Sequence, residues 1–434
     1  MLCIVNLMTT TNRGQIMKFN KITLAISQLL LISTLSHADT SCKQENFWQS
    51  WFPEGEFVGF GKIPSVDKVA KAQYEFAQNY HRGNILTKDY SRALDLFQRA
   101  ANNGLTQAHF KLGLLNHYGQ GKAKDLSEAY VHYEKAAEQN SPEAEFNLGL
   151  MNRYGLGRPK DMPAAYEWFS KSAQAKTAMN IDKCEINLSG IKESQFNLAQ
   201  MYHYGLGIKK DMVKAVNMYE KAAAYNMKEA QFNLAKLLLS GEGIKYDFDR
   251  AMENYKLAAE QGLAEAQLNL AQMLHYGPSY FQDHFAAYNW YQKAAKGGLS
   301  EAEFNLGLMN HYGRGTNQNY IAALGHYIKA KDANIPEAYL NLGFLYHYGL
   351  GTSIDEKKAF EYFKEAARHD LPQAQYHLGL LYQDGKWLLQ DKSQSAYWFD
   401  KASKNGIQEA ELMIQALAMR EPEDADLYIV SPER

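Results

Sequence analysis

The residues best suited to chemistry stand together in one short phrase, Asn310-His311-Tyr312-Gly313-Arg314-Gly315. An imidazole beside a phenol could ligate a metal or move a proton, and Gly-x-Gly could close its backbone around a phosphate. Either chemistry needs one constellation in one place. The phrase instead recurs, as NHYGQG at 116–121, NRYGLG at 152–157 and YHYGLG at both 202–207 and 346–351. His81, His117, His203, His275, His311 and His347 hold equivalent positions. A shared zinc would need their ring nitrogens within about 4 Å of one another, because each Zn–N bond is about 2.0–2.1 Å. Neighbouring helices pack about 8–10 Å apart, so equivalent side chains rise as rungs and do not converge. A nucleotide loop follows a strand, whereas a helical pattern precedes this one. The recurrence predicts architecture, with no metal, no cofactor and no catalytic residues.

The elements that position these residues follow from the spacing. Ala108, Ala144, Ala230, Ala266, Ala302, Ala338 and Ala374 each open the pattern A-x-x-x-[LI]-[GA], and neighbours are 36 residues apart except across the 86 residues from Ala144 to Ala230. Two units fit in that interval, the intermediate one beginning at Ser194, with 14 extra residues near 176–190. A weaker copy at Ala72 makes nine units, and Ala410 opens a partial one. Each first segment runs to a glycine (Gly313 and Gly349 are examples, and Gly277 holds the same place), read as a helix C-terminus that needs left-handed backbone. The second segment opens on Asp89, Asp125, Asp161, Asp211, Asp247, Asp283, Asn319, Asp355 or Asp391, side chains that accept hydrogen bonds from the free N–H groups of a first helical turn. From that cap a small residue follows at four positions, an aromatic at eight and Ala or Ser at eleven, one helical face. Two antiparallel helices per unit result.

Composition and termini set the limits. The 434 residues are 46% hydrophobic and 22% charged with a formal charge of −2, a folded class without the basic field that nucleic acid demands. Residues 17–38, MKFNKITLAISQLLLISTLSHA, read as a secretory signal with Met17 as the start and cleavage after Ala38; the apolar part is shorter than the roughly 20 residues of a membrane span. Export to the periplasm or beyond is expected. Cys42 and Cys184 then remain in the mature chain, either paired as a disulfide or left as free thiols. The expected organisation is an upstream extension and signal over 1–38, an aromatic-rich cap or linker over 39–65, nine repeats over 66–409, and a capping helix and tail over 410–434.

The combined pattern, A-x-x-x-L-G-x-x-Y-x-x-G-x-G followed by D-x-x-x-A-x-x-[WYF]-[YF]-x-K-A-A, resembles the Sel-one-like repeat, a relative of the tetratricopeptide repeat; Ala374–Gly385 and Asp283–Ala295 show it well. The resemblance implies an all-α, right-handed superhelical solenoid acting as a non-catalytic protein–protein scaffold of the bacterial envelope or host contact. Cysteine-rich members of the family pair two cysteines in each repeat, and this chain is similar to the cysteine-poor type. A protein or peptide would lie on the concave face of a monomer; a modulator of a peptidoglycan-active enzyme is the alternative. The S-x-x-K matches Ser65–Lys68 and Ser189–Lys192 stand without the K-T-G or S-D-N that acyl-transfer chemistry requires.

On the first helix of each unit, Glu143, Asn147, Leu150 and Tyr154 share a face by their spacings of 4, 3 and 4. The row repeats: Asn147, Asn197, Asn233, Asn269, Asn305 and Asn341, flanked by Glu143, Glu193, Glu229, Glu265, Glu301 and Glu337 on one side and Tyr154, Tyr204, Tyr276, Tyr312 and Tyr348 on the other. Amides that both donate and accept suit an extended peptide, and tyrosine adds contact area at low entropic cost. The same residues could equally brace neighbouring repeats, complement helix N-termini and close loops.

Overall fold

The structure is a computed structural model that describes residues 66–83, 85–175, 190–385 and 387–419. The expected signal peptide, the amino-terminal cap, the extra residues near 176–190 up to 189, the carboxyl-terminal tail, Cys42 and Cys184 lie outside the described residues. The chain divides into two compact units, Met1–Lys210 and Asp211–Arg434. Among the described residues all regular structure is helical: 19 α-helices and one 3-10 turn at Ser279–Phe281. No described helix is long and apolar enough to cross a membrane.

The first unit contains α1 (Val66–Arg82), α2 (Tyr90–Asn102), α3 (Thr106–Tyr118), α4 (Leu126–Ala137), α5 (Pro142–Tyr154), α6 (Met162–Gln174) and α7 (Ile191–Tyr204). The second contains α8 (Met212–Ala224), α9 (Lys228–Ser240), α10 (Phe248–Glu260), α11 (Ala264–Tyr276), α12 (His284–Lys296), α13 (Ser300–Tyr312), α14 (Tyr320–Asp332), α15 (Pro336–Tyr348), α16 (Glu356–Arg368), α17 (Pro372–Asp384), α18 (Lys392–Lys404) and α19 (Gln408–Met419). Odd-numbered helices up to α17 are the first helices of repeats. The nine Asp or Asn residues assigned as N-caps all accept, through Oδ1, a hydrogen bond from the backbone N–H three residues on, at 2.9–3.0 Å.

The core is built from the cap-plus-eight aromatics. Phe97, Tyr133, Phe169, Tyr219, Tyr255, Tyr291, Tyr327, Phe363 and Phe399 are all buried, as are Ala108, Ala144, Ala230, Ala266, Ala302, Ala338 and Ala374 of the first helices, while Ala72 of the weaker first copy is half-buried. Five of these rings sit directly on a glycine of the facing first helix. At Gly113, Gly149, Gly307, Gly343 and Gly379 an added Cβ would lie 2.5–2.6 Å from the ring of Tyr133, Phe169, Tyr327, Phe363 or Phe399 respectively. Glycine in mid-helix costs about 0.5–1 kcal/mol relative to alanine, and here it opens the space that the ring fills.

Gly277 departs from its expected geometry. Its φ of −67° and ψ of −177° are extended, whereas Gly313 and Gly349 have φ of 68° and 67°. Pro278 follows it, and the proline ring excludes helical backbone from the preceding residue. The chain then makes the 3-10 turn in place of the usual Gly-x-Gly loop.

At the carboxyl end of the described chain α19 lays Ala410 on Phe399 and Ala402, with Ile407, Met413, Ile414 and Leu417 around them. It starts at Gln408, two residues before the expected boundary.

Candidate functional site

The recurrent His-Tyr pair ends each first helix that carries it, and the two rings have separate tasks. The tyrosine, last residue of the helix, stands out into solvent. The histidine turns under it and stacks at His203–Tyr204, His275–Tyr276 and His311–Tyr312, with ring centroids 4.3, 4.0 and 4.6 Å apart, and lies tilted at 5.0 Å in His117–Tyr118. At His347–Tyr348 the distance is 4.6 Å, edge to face. From its other side the imidazole meets the core aromatic of the second helix, at 6.3 Å for His117–Tyr133, 6.0 Å for His275–Tyr291 and 6.3 Å for His311–Tyr327. The histidine is a spacer between the core ring and the exposed one.

The electrostatics suit that role. Burial pushes His81, His117 and His311 below the usual histidine range. It carries His275 down to about 4, helped by the neighbouring His284 and Arg314. These rings are neutral near pH 7. His347 instead places Nδ1 2.9 Å from a Glu356 carboxylate oxygen on the following helix. Among the described residues no three His, Cys, Asp or Glu side chains gather as metal ligands would.

The expected tyrosines all reach the surface. Tyr154 and Tyr204 in the first unit, and Tyr276, Tyr312 and Tyr348 in the second, are 56–60% exposed. Tyr118 belongs with them at 66% and is missing from the expected set, although the phrase NHYGQG announces it. Ser240 and Asp384 take the tyrosine's place in α9 and α17.

The asparagine row is more tied down than its spacing implies. In Asn147, Asn197, Asn233, Asn305 and Asn341 the side-chain Nδ2 donates to the backbone carbonyl four residues earlier, at 2.7–2.8 Å. Asn269 accordingly differs, its side chain bonding to that of Tyr255. Two acceptors brace adjacent repeats: Asn197 Oδ1 receives a hydrogen bond from Arg153 at 2.5 Å, and Asn305 Oδ1 one from the Tyr276 hydroxyl at 3.2 Å. Asn147, Asn233 and Asn341 make no second side-chain hydrogen bond among the described residues. Asn152 and Asn310, on the opposite side of their helices, are buried and bond back to Leu148 and Leu306.

With paired helices, Gly-seated core rings and nine capped second helices in place, the chain is a protein of the helical-repeat solenoid class. It belongs to the Sel1 repeat family: nine Sel1 repeats match residues 70–105, 106–141, 142–176, 192–224, 228–263, 264–299, 300–335, 336–371 and 372–407. The solved structure of c5321, a protective antigen present in uropathogenic Escherichia coli strains and displaying the same repeat fold, is 27% identical over 82% of this chain and 81% of that one, with a TM-score of 0.56. A Sel1 repeat protein from Oxalobacter formigenes is 25% identical over 81% of this chain and 99% of its own, with a TM-score of 0.50. No curated protein matches the chain.

Proposed function

We propose that this protein is a non-catalytic scaffold of the bacterial envelope, periplasmic or released, that binds a protein or peptide partner across the exposed ends of its first helices. The observation that carries the reading is the recurrence of solvent-exposed tyrosines at the ends of first helices, of which Tyr118, Tyr276, Tyr312 and Tyr348 each lie against a histidine that in turn meets a core ring. A large apolar ring left in water at the same place in repeat after repeat contributes little to folding. Held in one orientation by its neighbour, it loses little entropy on binding, which is the property that makes tyrosine effective in contact surfaces. Within each unit asparagine side chains lie on the tyrosine side of the first helices: Asn147 in the first unit and Asn233 and Asn341 in the second keep an acceptor available, while Asn197 and Asn305 act first as braces between repeats. The secretory signal read over 17–38 and the resemblance to a protective antigen of uropathogenic strains both support a place outside the cytoplasm.

The test is capture of envelope proteins by the immobilised full-length protein and by a variant with Tyr276, Tyr312 and Tyr348 changed together to Ala. Circular dichroism first establishes that both are equally helical. A partner retained by the native protein and lost by the variant is the expected result. Equal recovery by both would remove this face from the function. A partner that turns out to be a wall hydrolase whose rate changes on binding would convert the scaffold into a modulator of peptidoglycan chemistry.

A further inference from the structure

The exposed tyrosines belong to first helices, and one second helix stands out for a different reason. We propose that the groove between α12 and the loop over 315–317 binds an uncharged oligosaccharide. The proposal is independent of the partner-binding reading, since it uses other residues and another ligand.

The groove is open and measures about 680 Å³, within the roughly 300–1,000 Å³ of sites that hold small ligands. One wall is α12, where Phe285, Tyr288, Asn289 and Gln292 follow at spacings of 3, 1 and 3 and so share a side. The other is Gly315, Thr316 and Asn317, from the loop after α13. Glycine lets the walls meet: Gly315 has φ of 70°, and an added Cβ would lie 2.1 Å from the His284 carbonyl oxygen in the first turn of α12. Phe285 stands 69% exposed. Tyr288 is half-buried, and its hydroxyl accepts a hydrogen bond from Asn310 Nδ2 at 3.4 Å, which fixes the ring. Asn289, Gln292, Thr316 and Asn317 make no side-chain hydrogen bond among the described residues. No charged side chain lines the groove.

That lining is peculiar to this repeat. Asn289 and Gln292 stand six and nine residues after the cap, and one of those two places is acidic on every second helix except α12 and α14, as at Glu253 of α10 and Glu361 of α16. On α14 the places hold Gly325 and Ile328. Two amides beside an exposed phenyl ring occur on α12 alone.

The lining selects the class of ligand. The face of an aromatic ring carries the negative part of its quadrupole and attracts the C–H groups that cover one side of a pyranose. An amide offers a donor and an acceptor close together, which neighbouring sugar hydroxyls can match. An open groove leaves the remaining hydroxyls in water, so a sugar gives up little hydration on entering. A charged ligand would find no counter-charge to offset its desolvation. The stripe from Phe285 to Gln292 is about 10 Å long, room for about three residues of extended peptide, too few to hold a chain by its backbone.

The experiment uses the full chain and isothermal titration with four probes: chitotetraose, cellotetraose, tetragalacturonate and acetyl-tetraalanine amide. At least one of the two neutral sugars should bind saturably, in the millimolar range or tighter, and the acidic sugar and the peptide should not. F285A and N289A/Q292A should each weaken that sugar by about tenfold or more, as loss of the stacking ring or of two hydrogen bonds implies, with melting temperature unchanged. N217A, at the place on α8 equivalent to Asn289, should leave binding as it is. No saturable binding of either neutral sugar, or full binding by N289A/Q292A, overturns the proposal. So does tighter binding of tetragalacturonate, or of the peptide, which would make the groove a further protein contact. Y276A/Y312A/Y348A should bind the sugar normally, so this reading and that of the tyrosines fail separately.

Discussion

Two glycines of one repeat, both in mid-helix, should respond in opposite directions to the same substitution. At Gly307 in α13 a new Cβ would sit 2.5 Å from Cε1 and 2.6 Å from Cδ1 of Tyr327, a ring with no exposure of its own and so no free direction in which to move. At Gly325 in α14 a new Cβ would meet nothing within 4 Å. Alanine in a helix is worth about 0.5–1 kcal/mol over glycine, and G325A should collect that gain in full. G307A collects the same gain and then pays for overpacking, typically about 1–3 kcal/mol. The two variants should therefore differ by about 1–3 kcal/mol, with G325A more stable than the native protein and G307A less. Urea unfolding followed by far-UV circular dichroism reads the difference directly. The comparison with α11 sharpens the test, because Ala271 occupies the equivalent place there and the ring of Tyr291 is nevertheless fully buried. If Tyr327 can adopt a similar seat without loss, G307A will match G325A, and the claim that these glycines are sockets for the core rings would be refuted.

Three further outcomes follow from buried polar groups. The Tyr291 hydroxyl is buried without a hydrogen-bond partner, whereas that of Tyr327 lies 3.5 Å from His311 Nδ1; Tyr291→Phe should raise stability by about 1 kcal/mol, and a loss larger than that of Tyr327→Phe would contradict the account. His132, His275 and His377 are each lowered to about 4, chiefly by burial, so the unfolded chain binds their protons near pH 6.5 while the folded one refuses them until about pH 4. The histidines' contribution should be undiminished above pH 6.5 and decline as pH falls from there to 4, by on the order of 1–3 kcal/mol per histidine, while Glu145, which burial raises to about 7, adds stability as pH falls from 7 to 4.5 and partly offsets that loss. Melting temperatures across that range test it, and a flat profile would show that the rings reach water before unfolding. Last, N197A and N305A each remove a brace between repeats and should cost about 1 kcal/mol more than N233A, whose side chain bonds within its own helix; equal melting of the three would mean that the bridges to Arg153 and from Tyr276 carry no weight.

The helices were legible because their signals are local. A carboxylate or amide at each cap, a small residue four on and an aromatic eight on specify a second helix and its buried face without reference to anything distant. Gly277 was misjudged for an equally local reason: the position matches the other glycines, and the proline after it overrides the position. The face of the first helices was legible in outline only. Spacing puts Asn305 and Tyr312 on one side of α13, but it does not show that an asparagine side chain reaches its own helix's carbonyl four residues back. Nor does it show that Arg153 and Tyr276 reach across to the next repeat, since those contacts depend on how the repeats stack. The contact of a histidine with the tyrosine beside it, stacked at His203, His275 and His311 and edge to face at His347, is likewise a matter of rotamer, invisible to periodicity. What resembled a reactive pair is a half-buried ring, fully buried at His275, beside an exposed one.

The central claim is that the tyrosine row meets the partner. Its most direct test is photocrosslinking from a benzoylphenylalanine placed, one site at a time, at Tyr276, Tyr312 or Tyr348, with Phe285 and Ile321 on second helices as controls that are more exposed still. The account predicts that the three first-helix sites yield the same crosslinked partner and that the two controls yield none of it. Crosslinks to that partner from Phe285 and Ile321, with none from the tyrosine positions, would contradict it.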